Sequence, residues 1–309
     1  MTEQRGETVA VVVVTYNRAE LLARMLAGLA ALDRPADAVI VVDNASTDHT
    51  PDVLANAALN AGPNEGPNAG LPGLQVVRSE ENLGGAGGFR LGVRTAYEQG
   101  FDRLWLMDDD VVPAPDCLRV MLEQDEACLI AVREDTEGRL VEKAATRFDL
   151  RNPLAIRPKV ASVETDYPSR AGMPARVEVQ NVAFEGFMMR REVVDAVGLP
   201  DAGFFIFYDD VDFALRARRA GYRIRAVRDA VLVRQLDFSQ QHDLAGWKGY
   251  YMYRNLFAVH FRYGENALVR AKPWLIAAVV TLLSPVRGGR REAANVLRAV
   301  WTARSMRRR

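Results

Sequence analysis

The sequence predicts an α/β protein built on an open, mostly parallel sheet and followed by a helical C-terminal region. Three observations predict it. Short β-branched runs alternate with amphipathic helical stretches up to residue 107. The first two runs are apolar throughout rather than every second residue, as strands buried on both faces are. The acidic and glycine-rich segments follow the strands directly, where open α/β sheets bind ligands.

Residues 9–14 read as the first strand, and 18–32 as a helix with Leu21, Leu22, Met25, Leu26 and Leu29 at helical spacing. Residues 39–42 form the second strand and 48–59 the second helix. Residues 60–73, rich in Gly, Pro and Asn, read as a loop. A third strand at 74–77, a helix at 87–98 and a fourth strand at 103–107 complete a βαβαβαβ rhythm, which implies right-handed crossovers and a Rossmann-like sheet. The second half is less regular. Residues 133–176 read as a hairpin and excursions, 177–189 as strand and loop, and 191–197 as a short helix. Residues 204–208 lead into a helix at about 211–220, and the pattern is helical from Leu244 onward. The expected division is 1–243 for an α/β domain and 244–309 for a basic helical region.

With 309 residues, 49% of them hydrophobic, the chain can bury a sizeable core and is not globally disordered. Cys117 and Cys128 lack metal-ligand spacing, which fits a reducing compartment. The polar residues 1–6 carry no apolar signal region, so a cytoplasmic protein is expected. The zero net charge hides an asymmetry. From Asn266 onward ten Lys and Arg face one acid, Glu292, so the tail is +9 and the rest −9. The apolar run 274–283 falls well short of the ~20 residues of a spanning helix. An interfacial helix followed by a basic one is expected, in peripheral contact with a membrane; a packed helix with solvated arginines would read the same way. No nucleic-acid partner is expected.

Asp108-Asp109-Asp110 follows the fourth strand. Three adjacent carboxylates repel one another unless a cation gathers them, and hard ions such as Mn²⁺ or Mg²⁺ take oxygen ligands shared with substrate phosphates. In an extended segment Asp108 and Asp110 would face the same side, one toward a ribose and one toward the metal. A solvated acidic turn is the plainer alternative. Asn82-Leu83-Gly84-Gly85 opens a helix, where backbone amides and the helix N-terminus suit a diphosphate; a tight turn would also explain it. Thr15-Tyr16-Asn17-Arg18 stands after the first strand where a dinucleotide fingerprint would have glycines, which counts against an NAD enzyme. Asp43, ending the second strand, can accept from a base or ribose, while Asp48 caps the next helix. Asp209, Asp210 and Asp212 follow the aromatic run 204–208. They read as a general base or as acids complementing a helix dipole.

In this order the segments resemble the family 2 glycosyltransferases, an inverting group with the A-type nucleotide-sugar-binding fold, over residues 9–255. The resemblance implies donor contacts at Thr15, Arg18, Asp43, Asn82, Gly84, Gly85, Asp108 and Asp109. It places Arg18 and Asp43 at the uracil end and makes Arg254, in Tyr250-Tyr251-Met252-Tyr253-Arg254-Asn255, a diphosphate contact. It makes Asp108 and Asp110 metal carboxylates, Asp210 the catalytic base and Asp209 its neighbour. Relatives carry a His as third metal ligand one strand after the base. Here that strand runs into Arg234-Gln235, and His242 is the substitute. Within the family the pattern is most similar to actinobacterial galactofuranosyltransferases. That likeness implies a UDP-galactofuranose donor, a polyprenyl-linked saccharide acceptor, cell-wall polysaccharide synthesis and a place at the inner face of the membrane. Rhamnosyltransferases using dTDP-rhamnose share much of the pattern. A hydrolase working with Asp110 and Asp210, or a non-catalytic nucleotide-sugar or lipid-binding protein, are the rival classes.

Overall fold

The computed structural model describes residues 6–59, 71, 73–155, 157–236, 246–286 and 289–306. Most of the expected loop at 60–73 lies outside the described residues, and so does His242.

The first half follows the expected rhythm: β1 (Val9–Thr15), α1 (Ala19–Ala30), β2 (Ala38–Asp43), α2 (Thr50–Leu59), β3 (Leu74–Arg78), α3 (Gly84–Glu98) and β4 (Arg103–Asp108). β1 pairs parallel with both β2 and β4, and β2 with β3. Every residue of β1 and β2 is buried, which is why these strands lack polar alternation. α3 lies close on β1 because of its glycines. A Cβ on Gly88 would sit 2.5 Å from Val14 Cγ1, and one on Gly92 2.3 Å from Val12 Cγ1. That part of the glycine-rich stretch serves helix–sheet packing.

Beyond β4 come β5 (Val111–Pro113), α4 (Cys117–Leu122) and β6 (Cys128–Glu134), which the periodicity does not reveal. A small hairpin follows, β7 (Arg147–Phe148) with β8 (Lys159–Ala161), then α5 (Val163–Asp166), β9 (Arg176–Val179), β10 (Phe187–Arg190), α6 (Arg191–Val197), α7 (Asp209–Arg219) and β11 (Ile224–Arg234). The sheet order is β3-β2-β1-β4-β10-β6-β11-β5, with β9 on β11. β10 runs antiparallel between β4 and β6, so the parallel half is extended by a mixed one.

The C-terminal region is α8 (Trp247–Tyr263), α9 (Ala267–Leu283) and α10 (Gly289–Ser305). These helices share an apolar cluster with Ala86, Leu150, Phe204, Val211 and Leu215, so they are joined to the α/β part by a common core. One expectation is corrected here. The helical stretch Ala267–Val286 has 20 residues and a mean hydropathy of 1.5, long and apolar enough by length and composition to cross a membrane. The sequence reading stopped at Pro273 and Pro285, whereas the helix continues through Pro273. Val269, Pro273, Ala277 and Val280 form its buried face. Leu268, Leu275, Val279, Leu282 and Val286 stand exposed, and their spacing puts them on one stripe.

Candidate active site

Register sets the C-terminal ends of β1 to β4 side by side. Thr15 pairs with Asp43, Asp43 with Arg78, and Val14 with Asp108. The turns after β1 and β2 then interlock. Asn17 and Ala45 both adopt left-handed backbone, at φ 53° and 66°. The Asn17 amide donates to Ser46 Oγ at 3.0 Å, and its Oδ1 accepts the Thr47 amide at 2.7 Å. Asp48 accepts the amides of Thr50 and Ala19, so it serves the starts of two helices at once.

Asp43 is buried. Its Oδ1 accepts the Ser46 amide at 2.9 Å and its Oδ2 accepts Arg78 Nη1 at 2.9 Å. Half of the Arg78 side chain is exposed, so a ligand arriving at this end meets the guanidinium before the carboxylate. The sequence reading missed Arg78. Its signal was the register that pairs it with Asp43.

The acidic triplet departs from the extended geometry expected of it. Asp108 ends β4, while Asp109 and Asp110 form a turn into β5. The Gln235 amide pins that turn by donating to the Asp110 carbonyl at 2.8 Å. Asp109 accepts Thr15 Oγ1 at 2.7 Å and Arg18 Nη1 at 2.9 Å, and Arg18 Nη1 also reaches Asp110 Oδ2 at 3.3 Å. Thr15 and Asp109 are buried and satisfy each other, which gives them a supporting role in this geometry. Arg18, which the resemblance put with Asp43 at the uracil end, is tied here to the triplet. Burial pushes all three carboxyls up, and the charge of Glu185 adds to the rise at Asp108 and Asp110.

Glu185 is a residue that sequence reasoning did not find. β10 pairs antiparallel with β4, Phe187 opposite Leu106, which carries the preceding residues to the end of β4. Arg133 forms an ion pair with Glu185, and Arg234 Nη2 lies 3.6 Å away. Burial pushes the Glu185 carboxyl up, but the two guanidiniums outweigh it and hold the group below its usual range. Glu185 acts electrostatically on the triplet and also on Asp210, so it links the two acidic centres.

Whether this set suits a divalent cation can be tested on one atom. Asp110 Oδ1 is buried without a hydrogen-bond partner, an oxygen that a cation would satisfy. With Asp108 it offers hard oxygen donors of the kind Mn²⁺ and Mg²⁺ take. Among the described residues no three His, Cys, Asp or Glu side chains form a complete cluster. The residues therefore fit an ion whose shell is completed by phosphate and water.

Asn44, buried after β2, shapes the glycine turn. Its Nδ2 donates to Asn82 Oδ1 at 3.1 Å and to the Gly84 carbonyl at 3.0 Å, and its Oδ1 accepts the Leu83 amide at 2.9 Å. Asn82 Oδ1 also accepts the Gly84 amide at 2.8 Å, so Asn82 holds the turn's form. Gly84 has φ +69°, and a Cβ there would lie 2.1 Å from the Phe205 carbonyl oxygen. Open space lies where a Cβ on Gly85 would stand, which leaves that side of its backbone free for a ligand's approach.

The second acidic centre rests on a strained segment. Phe205, Phe207 and Tyr208 all have positive φ, conformations that cost roughly 1–3 kcal/mol each in non-glycine residues. α8 holds them. Asn255 Nδ2 lies 2.7–2.9 Å from the carbonyls of Phe204, Ile206 and Phe207. Arg254 Nη2 donates to the carbonyls of Gly203 and Phe204, and its Nε to Asn255 Oδ1. Arg254 is thus engaged behind this segment through two of its nitrogens. Tyr208 leads into α7, whose first turn carries Asp209, buried, and Asp210, partly open. Asp210 Oδ1 accepts the Val211 amide at 2.7 Å. Burial pushes the Asp210 carboxyl up to about 6, with the Val211 amide pulling down and Glu185 pushing up. Burial, then the charge of Asp210, drive Asp209 well above its ordinary value. Asp212 is a tie to α8, accepting from Arg262 Nη1 and Tyr263 Oη.

The profile of Glycosyl transferase family 2 matches residues 10–198. Galactofuranosyltransferase GlfT1 of Mycolicibacterium smegmatis is 35% identical over 218 residues, covering 70% of this chain and 67% of its own. Among solved structures, mannosyltransferase PcManGT from Pyrobaculum calidifontis, in complex with GDP-Man and Mn²⁺, superposes with a TM-score of 0.57 at 19% identity. That match covers 98% of this chain and 86% of the other. S. aureus TarS 1-349 in complex with UDP-GlcNAc superposes with a TM-score of 0.55 at 16% identity, covering 97% and 81%. These two likenesses establish the fold.

Proposed function

This chain belongs to glycosyl transferase family 2, and on that premise we propose that it transfers galactofuranose from UDP-galactofuranose to a saccharide on a polyprenyl diphosphate, inverting the anomeric centre. The likeness to GlfT1 supports the sugar. The observation that carries the chemistry is the pair of acidic centres, Asp108–Asp110 after β4 and Asp210 at the start of α7, both within the field of Glu185.

Asp210 is the base. A carboxylate raised to about 6 is ionised at neutral pH yet basic enough to take a proton from an acceptor hydroxyl attacking opposite the UDP. The nucleoside diphosphate lies across the ends of β1, β2 and β4, with its base toward Arg78 and Asp43 and its phosphates toward Gly85. Asp108 and Asp110 would hold Mn²⁺ or Mg²⁺, which supplies Lewis-acid neutralisation of the departing diphosphate. Arg18 keeps the triplet's turn in place for that task. Orientation of donor and acceptor can contribute ~7–11 kcal/mol to such a two-substrate reaction.

The acceptor's lipid accounts for the tail. The exposed stripe Leu268, Leu275, Val279, Leu282 and Val286 lies in the +9 region, a combination that suits an anionic membrane surface at the cytoplasmic face. The test is a donor screen with UDP-galactofuranose, UDP-GlcNAc, UDP-glucose and dTDP-rhamnose against a lipid-linked disaccharide. Turnover with UDP-galactofuranose is expected. Turnover with dTDP-rhamnose alone would reassign the donor.

A further inference from the structure

Phe205, Tyr251 and Trp247 form a connected aromatic group at the edge of the site. Phe205 stacks on Tyr251 with ring centroids 5.0 Å apart and planes 26° from parallel. Trp247 meets Tyr251 nearly edge-on at 6.0 Å and Phe205 at 6.5 Å. The Tyr251 ring is occupied, because Phe205 is stacked on it and the Arg254 guanidinium lies 4.6 Å from its centroid. Trp247 is the member left to solvent, with 58% of its surface exposed. A large ring held by its neighbours yet open to water gains most from a ligand that covers it, and it loses little conformational freedom in doing so.

The position narrows the ligand. The carbonyl of Phe205 accepts the Ala86 amide at 3.1 Å, beside the glycine turn, and Asp210 lies five residues further along the same segment. Trp247 is thus joined, through Phe205, to the segment that meets the donor's turn and leads to the base. A pyranose or furanose ring fits, because its C–H face packs on an indole while its hydroxyls stay at the edge for hydrogen bonds. The Lys248 ammonium lies over the Trp247 ring, 5.7 Å from its centroid, as a polar donor for a sugar held beside it. The long apolar stripe for a lipid is on α9, a different helix.

We infer that Trp247, oriented by Tyr251 and Phe205, is the platform on which a sugar ring of the acceptor stacks before transfer. This rests on the glycosyltransferase reading above. The test compares wild type, Trp247→Ala and Trp247→Phe in steady-state transfer to a water-soluble alkyl disaccharide, with UDP titrated separately into each. Trp301→Ala, another exposed tryptophan on α10, is the control. The expected result is a rise of about tenfold or more in acceptor KM for Trp247→Ala. Trp247→Phe should recover most of the loss, UDP affinity should stay within twofold, and the control should not change. An unchanged acceptor KM in Trp247→Ala overturns the platform while leaving the transferase reading intact. A defect seen only with a polyprenyl-linked acceptor, and not with the soluble saccharide, also overturns it and assigns the ring to the lipid. No transfer and no UDP binding by wild type would instead sink the transferase reading itself.

Discussion

The Phe205 carbonyl oxygen closes on Gly84: it accepts the amide of Ala86 at 3.1 Å and lies 2.1 Å from where a Cβ on residue 84 would stand. Through this contact the glycine turn and the strained segment that carries Asp210 share one geometry. Gly84→Ala must therefore displace backbone, on top of adopting φ +69°. We expect it to lower transfer by about 10²-fold, the scale on which a misplacement of 1 Å acts. Single-turnover assays and a melting curve measure this; full activity with an unchanged melting temperature would detach the turn from the base.

Metal dependence is read at Asp110. Its unpartnered buried Oδ1 predicts that Asp110→Ala keeps the fold but loses the Mn²⁺ dependence of UDP binding. Isothermal titration with UDP, with and without EDTA, checks it. A variant with wild-type Mn²⁺ dependence would remove Asp110 from the set. His242→Ala tests the third ligand, and about 10–100-fold weaker Mn²⁺ binding would identify a coordination partner.

The parallel half of the fold was legible because β1 and β2 are buried throughout, and such strands announce themselves as unbroken β-branched runs. β6 was not. Its end carries Arg133 and Glu134, and Arg133 is tolerated inside only through Glu142 and Glu185. The positions of Asp43 and of the Asp108–Asp110 triplet, at strand ends, could be read from the sequence for the same reason, whereas Asp210 was marked only by the aromatic run before it and opens α7. Arg78, Glu185 and Asn44 were not singled out, since their roles come from partners that only register and crossover bring near. Asn255 sits in a helix, and nothing local signals that it holds the carbonyls of residues 204–207.

The pH dependence follows from Asp210. Only its ionised form accepts a proton, so transfer should rise with pH through a limb near 6. Stability runs the opposite way. The folded carboxyl titrates above its ordinary value, so its contribution is fully present below about pH 4 and is lost as pH rises through 6. Asp210→Asn should therefore be more stable than wild type at pH 8, by on the order of 3 kcal/mol, and equal to it below pH 4. Melting curves at both values check the sign, and a destabilised variant at pH 8 would contradict it.

The tail is tested by surface charge rather than by deletion, because Val296, Ala299, Val300 and Ala303 of α10 belong to the core shared with α8. Leu275→Glu with Leu282→Glu leaves that core alone and puts two acids on the exposed stripe. Sedimentation with vesicles containing anionic lipid should fall several-fold, while UDP binding stays unchanged. Equal sedimentation at low and physiological salt would make the stripe irrelevant to membranes.

The central claim is that Asp210 is the base of a glycosyl transfer. The most direct measurement is single-turnover transfer by Asp210→Asn from UDP-galactofuranose, beside a UDP titration in Mn²⁺. Asparagine keeps the size of the side chain and an oxygen for the Val211 amide but cannot take the proton. The account predicts UDP affinity close to wild type and transfer lower by ~10²–10⁴-fold. Wild-type turnover by Asp210→Asn would contradict it.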